Sequence, residues 1–252
     1  MQKAAYAAFL LLTLPVFALR AAADSTVDPW SDALATRDLE AIEQLLDNGQ
    51  ANPNRPTDDG KTALMFAAQQ ADAEVVVRLL AAGADVNVAN ANGGTPLMYA
   101  ALGGDASIAG LLLDAGARHD AKAKLGWTAL ALAAVKGYEQ VVRTLLDAGA
   151  DQSMRDAYGW TPLMRAAHNG RGEIVRLLLD APGADLAARQ ESGATVLHIA
   201  AGTGHTDIVR LLVAHGADTS TKDGNGNTAA TVASLAGHAS LTEYLEAPDR
   251  AD

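Results

Sequence analysis

Apolar and polar positions along this chain fall into two alternating helical patterns. One is a short, almost wholly apolar phrase opened by threonine. It reads Thr62-Ala-Leu-Met-Phe-Ala-Ala68, Thr95-Pro-Leu-Met-Tyr-Ala-Ala101, Thr128-Ala-Leu-Ala-Leu-Ala-Ala134, Thr161-Pro-Leu-Met-Arg-Ala-Ala167 and Thr195-Val-Leu-His-Ile-Ala-Ala201. A weaker copy follows at Thr228-Ala-Ala-Thr-Val-Ala-Ser234. The other pattern is an amphipathic stripe such as Val141, Val142, Leu145 and Leu146, whose spacing of one, three and four puts all four on one helix face. Successive threonines are 33, 33, 33, 34 and 33 residues apart. A fixed period of this length predicts stacked supersecondary units in place of one globular core. The expected fold class is an all-α repeat solenoid, each unit a helix-turn-helix followed by a β-hairpin loop.

The stretch from Gly126 to Ala150 explains one unit. Gly126 suits a backbone turn that a Cβ would oppose. Thr128 can cap a helix through its hydroxyl. Leu130, Ala133 and Ala134 share one side of that helix, and the alanines permit close approach of a neighbour. Gly137 is placed to end it and Gly149 to end the second helix. Such a unit cannot bury its apolar face alone and needs its neighbours.

The threonine phrase and the later Gly83-Ala-Asp-Val-Asn87 resemble the ankyrin repeat, whose signature centres on T-P-L-H-x-A and G-A-D-V-N. Six copies of the first phrase match in register, and the resemblance runs from Pro29 to Ala247. It implies about seven repeats including caps, over 30–56, 57–89, 90–122, 123–155, 156–189, 190–222 and 223–247. The first lacks the threonine phrase but carries Trp30, Leu34, Leu39, Ile42, Leu45 and Leu46, closed by Asn48-Gly49, as an N-terminal cap. The last replaces apolar positions with Ser240, Thr242, Glu243 and Glu246, a polar outer face expected of a C-terminal cap. The 34-residue step is traced to an extra residue in Leu179-Asp-Ala-Pro-Gly-Ala-Asp185, where Pro182 is expected to lengthen a loop without shifting the stack.

Residues 1–23 have a different composition. Lys3 precedes an apolar run from Ala4 to Leu19, 16 residues long, and Ala21-Ala-Ala23 offers small residues before Asp24. This is the grammar of a secretory signal peptide, and the run is short of the ~20 residues that a spanning helix needs. A linker is expected over 24–29 and a tail over 248–252. The chain contains no cysteine, so disulfides and thiol chemistry are excluded. Leader and composition together point to the periplasm, with secretion as the alternative, and to no membrane insertion once the leader is cleaved.

Lysine and arginine number 19 against 30 acidic residues, a net charge of −11. Without Lys3 and Arg20 the balance is 17 against 30, or −13. Such a surface repels phosphate backbones and anionic headgroups, so nucleic acid and membrane are not expected partners. No zinc-protease or nucleophile-elbow motif occurs. His198 falls at the histidine position of its phrase and reads as a structural group, as do His205 and His238 after glycines. No catalytic residue, cofactor or metal is expected.

Family resemblance implies a non-catalytic protein-binding module, a monomer by itself, that meets another protein on its concave face through hairpin tips and first helices. Exported bacterial proteins of this kind include ones associated with oxidative-stress protection and others that act as immunity proteins, and the residues do not choose between adaptor, chaperone-like and inhibitor roles. The alternative is a structural envelope protein without a discrete partner. Candidate contact residues are Lys122, Leu125 and Trp127 in one hairpin, Arg155, Tyr158 and Trp160 in the next, Arg189 beyond them, and Arg165 and His168 on the helix after Trp160. Lys222 extends the basic column of Lys122, Arg155 and Arg189. Tryptophan, tyrosine and arginine dominate interface energetics, so replacing Trp127 and Trp160 by alanine is expected to weaken a complex by ~2 kcal/mol while the fold survives. The competing reading is that each indole packs against the adjacent hairpin.

Overall fold

The computed structural model describes residues 29–247, so the expected leader, most of the linker and the tail lie outside the described residues. Among the described residues fourteen α-helices form seven consecutive pairs. They are α1 (Pro29–Thr36) and α2 (Leu39–Asp47), α3 (Ala63–Gln69) and α4 (Ala73–Ala81), α5 (Pro96–Gly103) and α6 (Ala106–Asp114), and α7 (Ala129–Lys136) and α8 (Glu139–Asp147). Then come α9 (Pro162–His168) and α10 (Gly172–Asp180), α11 (Val196–Thr203) and α12 (Thr206–Ala214), and α13 (Ala229–Leu235) and α14 (Ala239–Glu246). First helices from α3 to α13 stack on one another and second helices from α2 to α12 do the same, making two layers of one solenoid.

The two patterns bury differently because the layers do. First helices are enclosed by both neighbours and by their own second helix. In α5 every residue from Pro96 to Ala101 is buried, and in α7 every residue from Ala129 to Val135. Second helices bury one stripe only, such as Val141, Val142 and Leu145 of α8 or Ile174, Val175 and Leu178 of α10. First helices contact one another more extensively than second helices do, an approach that their small side chains permit. The last pair buries only Leu241 and Leu245 on α14, with Ser240, Glu243 and Glu246 exposed.

Threonine starts the first helices as the sequence implies. The hydroxyls of Thr95, Thr128, Thr161 and Thr228 accept from the amides of Met98, Ala131, Met164 and Thr231 at 3.2–3.4 Å. At Thr195 the cap is reciprocal. His198 Nδ1 lies 2.8 Å from the Thr195 hydroxyl and accepts from its amide at 3.3 Å, while Nε2 is 3.0 Å from the Asn227 carbonyl of the next unit. The histidine thus joins two repeats and is 2% exposed.

Second-helix starts reveal a size rule between neighbours. Asp38, Asp72 and Asp105 cap α2, α4 and α6 through their carboxylates. From α8 onward the position holds Tyr138, Arg171, His205 or His238, none of which caps its helix. Each instead lies over the glycine that ends the first helix of the preceding unit, Gly104, Gly137, Gly170 and Gly204 in turn. A Cβ on Gly104 would come within 2.8 Å of the Tyr138 ring. The equivalent glycine is absent only where the following cap is a short aspartate. Arg37 and Ala71 stand there with φ of 58° and 60°, ahead of Asp72 and Asp105 respectively.

Joints between units are polar. Asn54 donates to the Gly83 carbonyl at 2.9 Å and accepts from the Asp85 amide at 2.7 Å, and Asn87 repeats this with Gly116 and Arg118. At the 34-residue step the extra residue is absorbed as expected. Ala181 leaves the helix at ψ 147°, and the Gln152 amide donates to the Ala181 and Pro182 carbonyls at 3.1 and 2.8 Å. Helix α10 still packs on both α8 and α12.

Ala71 carries a left-handed backbone that costs an L-residue ~1–2 kcal/mol, whereas Gly104 needs its missing Cβ twice, for its φ of 86° and for Tyr138. Ala71→Gly is expected to raise the urea midpoint, equivalent to about 1 kcal/mol. Gly104→Ala is expected to lower it by more than that, and equal effects at the two sites would contradict the size rule.

Candidate partner interface

Between the second helix of one unit and the first helix of the next, the chain makes a five-residue finger. Its first amide donates to its fifth carbonyl in all six fingers: Thr57 to Lys61, Asn90 to Gly94, Ala123 to Trp127, Asp156 to Trp160, Gln190 to Ala194 and Asp223 to Asn227, at 2.8–3.0 Å. The expected β-hairpins are therefore only one residue pair deep. Among the described residues the single β-bridge is Lys222 with Thr228. The reason is local: the threonine that ends each finger already begins a helix, leaving no length for strands.

Fingers are tied edge to edge. The second amide of each donates to the third carbonyl of the one before, as in Ala91 to Asp59, Lys124 to Asn92, Ala157 to Leu125 and Gly224 to Ser192, at 2.8–3.0 Å. The glycine in the fourth position makes room for this approach. A Cβ on Gly126 would meet the Asp156 backbone at 2.9 Å. The basic column adds a second rail. Lys122 Nζ donates to the Arg155 carbonyl at 3.3 Å, Arg155 Nη1 to Arg189 at 2.8 Å, and Arg189 Nη1 to Lys222 at 2.7 Å. These side chains remain exposed while joining neighbouring units.

The first residue of most fingers also holds the turn with its side chain. Asn90 Oδ1 accepts from Asn92 and Gly94, Asp156 Oδ1 from Tyr158 and Trp160, and Asp223 Oδ1 from Asn225 and Asn227, at 2.8–3.0 Å. Nine residues later, the fifth residue of the threonine phrase answers it. Asn90 Nδ2 donates to the Tyr99 hydroxyl at 2.8 Å, and Arg165 Nε donates to Asp156 Oδ2 at 2.9 Å, with Nη2 on the same oxygen. In the finger between them both positions are apolar, Ala123 and Leu132, and buried. Ala123 has no acceptor to offer. That finger closes as a 3-10 turn over Lys124–Gly126, with Leu125 at φ 62°.

Structure separates the sequence candidates into two groups. Trp127, Trp160 and Arg165 are inside the stack, 4%, 5% and 8% exposed. The guanidinium carbon of Arg165 lies 4.7 Å from the Trp127 ring centre and 4.6 Å from that of Trp160. A cation–π contact of this desolvated kind contributes ~2 kcal/mol, and the carboxylate of Asp156, 3% exposed, neutralises the charge. Trp160 also meets the edge of the half-buried His168 ring at 5.3 Å. Burial, with the charges of Arg165 and His205 nearby, holds the His168 imidazole below the ordinary histidine range. This corrects the expectation that the two indoles and Arg165 face a partner. They are a joint between repeats, and loss of an enclosed tryptophan costs about 3–5 kcal/mol of fold stability.

The second group is at the surface. Leu125 is 38% and Tyr158 36% exposed, at the tips of adjacent fingers bonded to one another. Lys122 and Arg155 flank them, with Arg189 one finger further. Two participants were missed in the sequence. Lys124, beside Leu125, is exposed, and Asp156 is the enclosed counter-ion of Arg165. The nine-residue separation shared by Asn90–Tyr99 and Asp156–Arg165 was the available signal for the latter.

Clefts of about 650 Å³ and about 590 Å³ lie between α8 and α10 near Pro182 and beneath the finger around Lys122. Among the described residues no group of three or more histidine, aspartate or glutamate side chains is placed to hold a metal ion. Likewise no described helix is long and apolar enough to cross a membrane.

Three copies of the ankyrin-repeat family model match, over residues 31–123, 117–190 and 182–251. The chain belongs to the ankyrin-repeat family. Ankyrin repeats generally serve as protein–protein interaction modules and are typically non-enzymatic, and the expected fold class stands. No curated protein matches the chain.

The enclosed pair offers a clean test of the nine-residue rule. Asp156→Asn leaves a buried guanidinium without its anion, and Arg165→Tyr leaves a buried carboxylate without its cation. Each single substitution is expected to lower stability by about 3–5 kcal/mol. The double variant recreates the Asn90–Tyr99 pair of this same chain and is expected to lose less than either single change. Additive losses in urea denaturation would refute the coupling.

Proposed function

We propose that this ankyrin-repeat chain is an exported, non-catalytic binding protein that meets another protein through the finger tips of its central repeats. The observation carrying this reading is the Leu125–Tyr158 pair. Two large apolar side chains are exposed side by side on adjacent fingers whose backbones are hydrogen-bonded together. An exposed aromatic anchored on a rigid element binds with little ordering cost. The first-helix layer beneath is closed by packing, so contacts centre on the tips. Export is supported by the apolar run from Ala4 to Leu19 and the small residues at Ala21–Ala23.

Photocrosslinking from position 158 in the producing cell tests both parts. A discrete crosslinked protein is expected, lost on Leu125→Ser, with the chain in the periplasmic fraction and Asp24 as its first residue. No crosslink above that from an exposed outer-helix position would argue against tip binding, and retention of residues 1–23 in the cytosol against export.

A further inference from the structure

We infer that the Leu125–Tyr158 tips accept an acidic, extended segment of a partner protein carrying one apolar side chain. This rests on the tip-binding reading above and adds the chemistry of what is bound. The chain as a whole is strongly acidic, yet the surroundings of these two residues are not. Lys122, Lys124 and Arg155 are all exposed around them.

Neutralisation of these charges is partial: Lys122 lies within electrostatic reach of Asp151, and Arg155 pairs loosely with the exposed Asp185. Lys122 and Arg155 donate to backbone carbonyls of the next finger, which are neutral acceptors. The Arg155–Asp185 separation is 3.9 Å, with both side chains solvent-exposed. Among the described residues Lys124 makes no ion pair. Asp156, the one carboxylate within these two fingers, is enclosed and committed to Arg165. Three exposed cations therefore accompany two exposed apolar groups on these two fingers, and the carbonyl rail fixes the positions of Lys122 and Arg155.

The edges of the patch define a register. The preceding finger, Asn90 to Gly94, carries no charge. On the far side Glu191 is exposed, and its amide donates to the Tyr158 carbonyl at 3.1 Å. Carboxylates of a bound segment are thus most favoured over Lys122, Lys124 and Arg155, and less so beyond Tyr158, where Glu191 stands beside Arg189. An apolar side chain between Leu125 and Tyr158 would be covered by both. The basic strip, continued by Arg189 and Lys222, is a narrow line of charges in a molecule of net charge −11. A short acidic segment suits this narrow strip, whereas a long polyanion also meets the acidic surface on either side of it.

Fluorescence anisotropy with the full chain and short labelled peptides tests this. The probes are an Asp/Glu-rich peptide with a central Phe, the same peptide with Lys in place of every Asp and Glu, the acidic peptide with Ser for Phe, and a single-stranded oligonucleotide of equal length. The acidic Phe peptide is expected to bind best, and to weaken about tenfold or more with Lys122→Glu plus Lys124→Glu and at raised salt. Leu125→Ser plus Tyr158→Ser should weaken it similarly, with the helical circular-dichroism spectrum retained in both variants. Equal or tighter binding of the basic peptide or the oligonucleotide would overturn the inference, as would acidic binding indifferent to the tip substitutions. A crosslinked partner whose contacting segment is basic would overturn it while leaving tip binding intact. Absence of any crosslink would instead count against the tip-binding reading itself.

Discussion

No unit of this solenoid can exist without the next, because a pair of short helices leaves its apolar side open. Everything else depends on how closely and in what register consecutive units dock. Close approach comes from alanine at the first-helix layer. Register comes from directional bonds: the finger-to-finger amides, the asparagines Asn54 and Asn87, and the basic rail of Lys122, Arg155 and Arg189. Apolar contact alone would tolerate sliding, whereas each of these bonds fits at one offset.

Within that frame, neighbouring residues are chosen as pairs. A planar side chain at the start of a second helix is matched by glycine in the unit before, and a short aspartate releases that position to Ala71 or Arg37. In the three fingers opened by Asn90, Ala123 and Asp156 the opening residue is matched by the one nine places on, as amide and phenol, as two apolar groups, or as carboxylate and guanidinium. Where the match is apolar the turn loses its side-chain acceptor, and Leu125 is pushed into a left-handed backbone. The same substitution that simplifies the core thus shapes an exposed tip.

Burial also redistributes charge. Asp156 is drawn inside by Arg165, so it no longer offsets the cations on the finger edge. A strongly acidic chain thereby presents a small basic and apolar patch on its finger edge. The ankyrin architecture supplies rigidity, and the exceptions to its repeating pattern supply the surface on which binding chemistry differs from one repeat to the next.

The sequence by itself determined the period, the pairing of helices, the capping threonines and both end units, because each depends on residue type at short range. It also singled out Leu125, Tyr158 and the basic column, which the structure leaves exposed. It could not say which way Trp127, Trp160 and Arg165 faced, since an indole and a guanidinium are equally at home at an interface or in a joint. That was decided by a neighbour one repeat away. Only when two fingers stack do both rings close over one guanidinium and a carboxylate nine residues back neutralise it. Depth of burial is a property of the stack, and residues in the same positions of two consecutive repeats acquire it together.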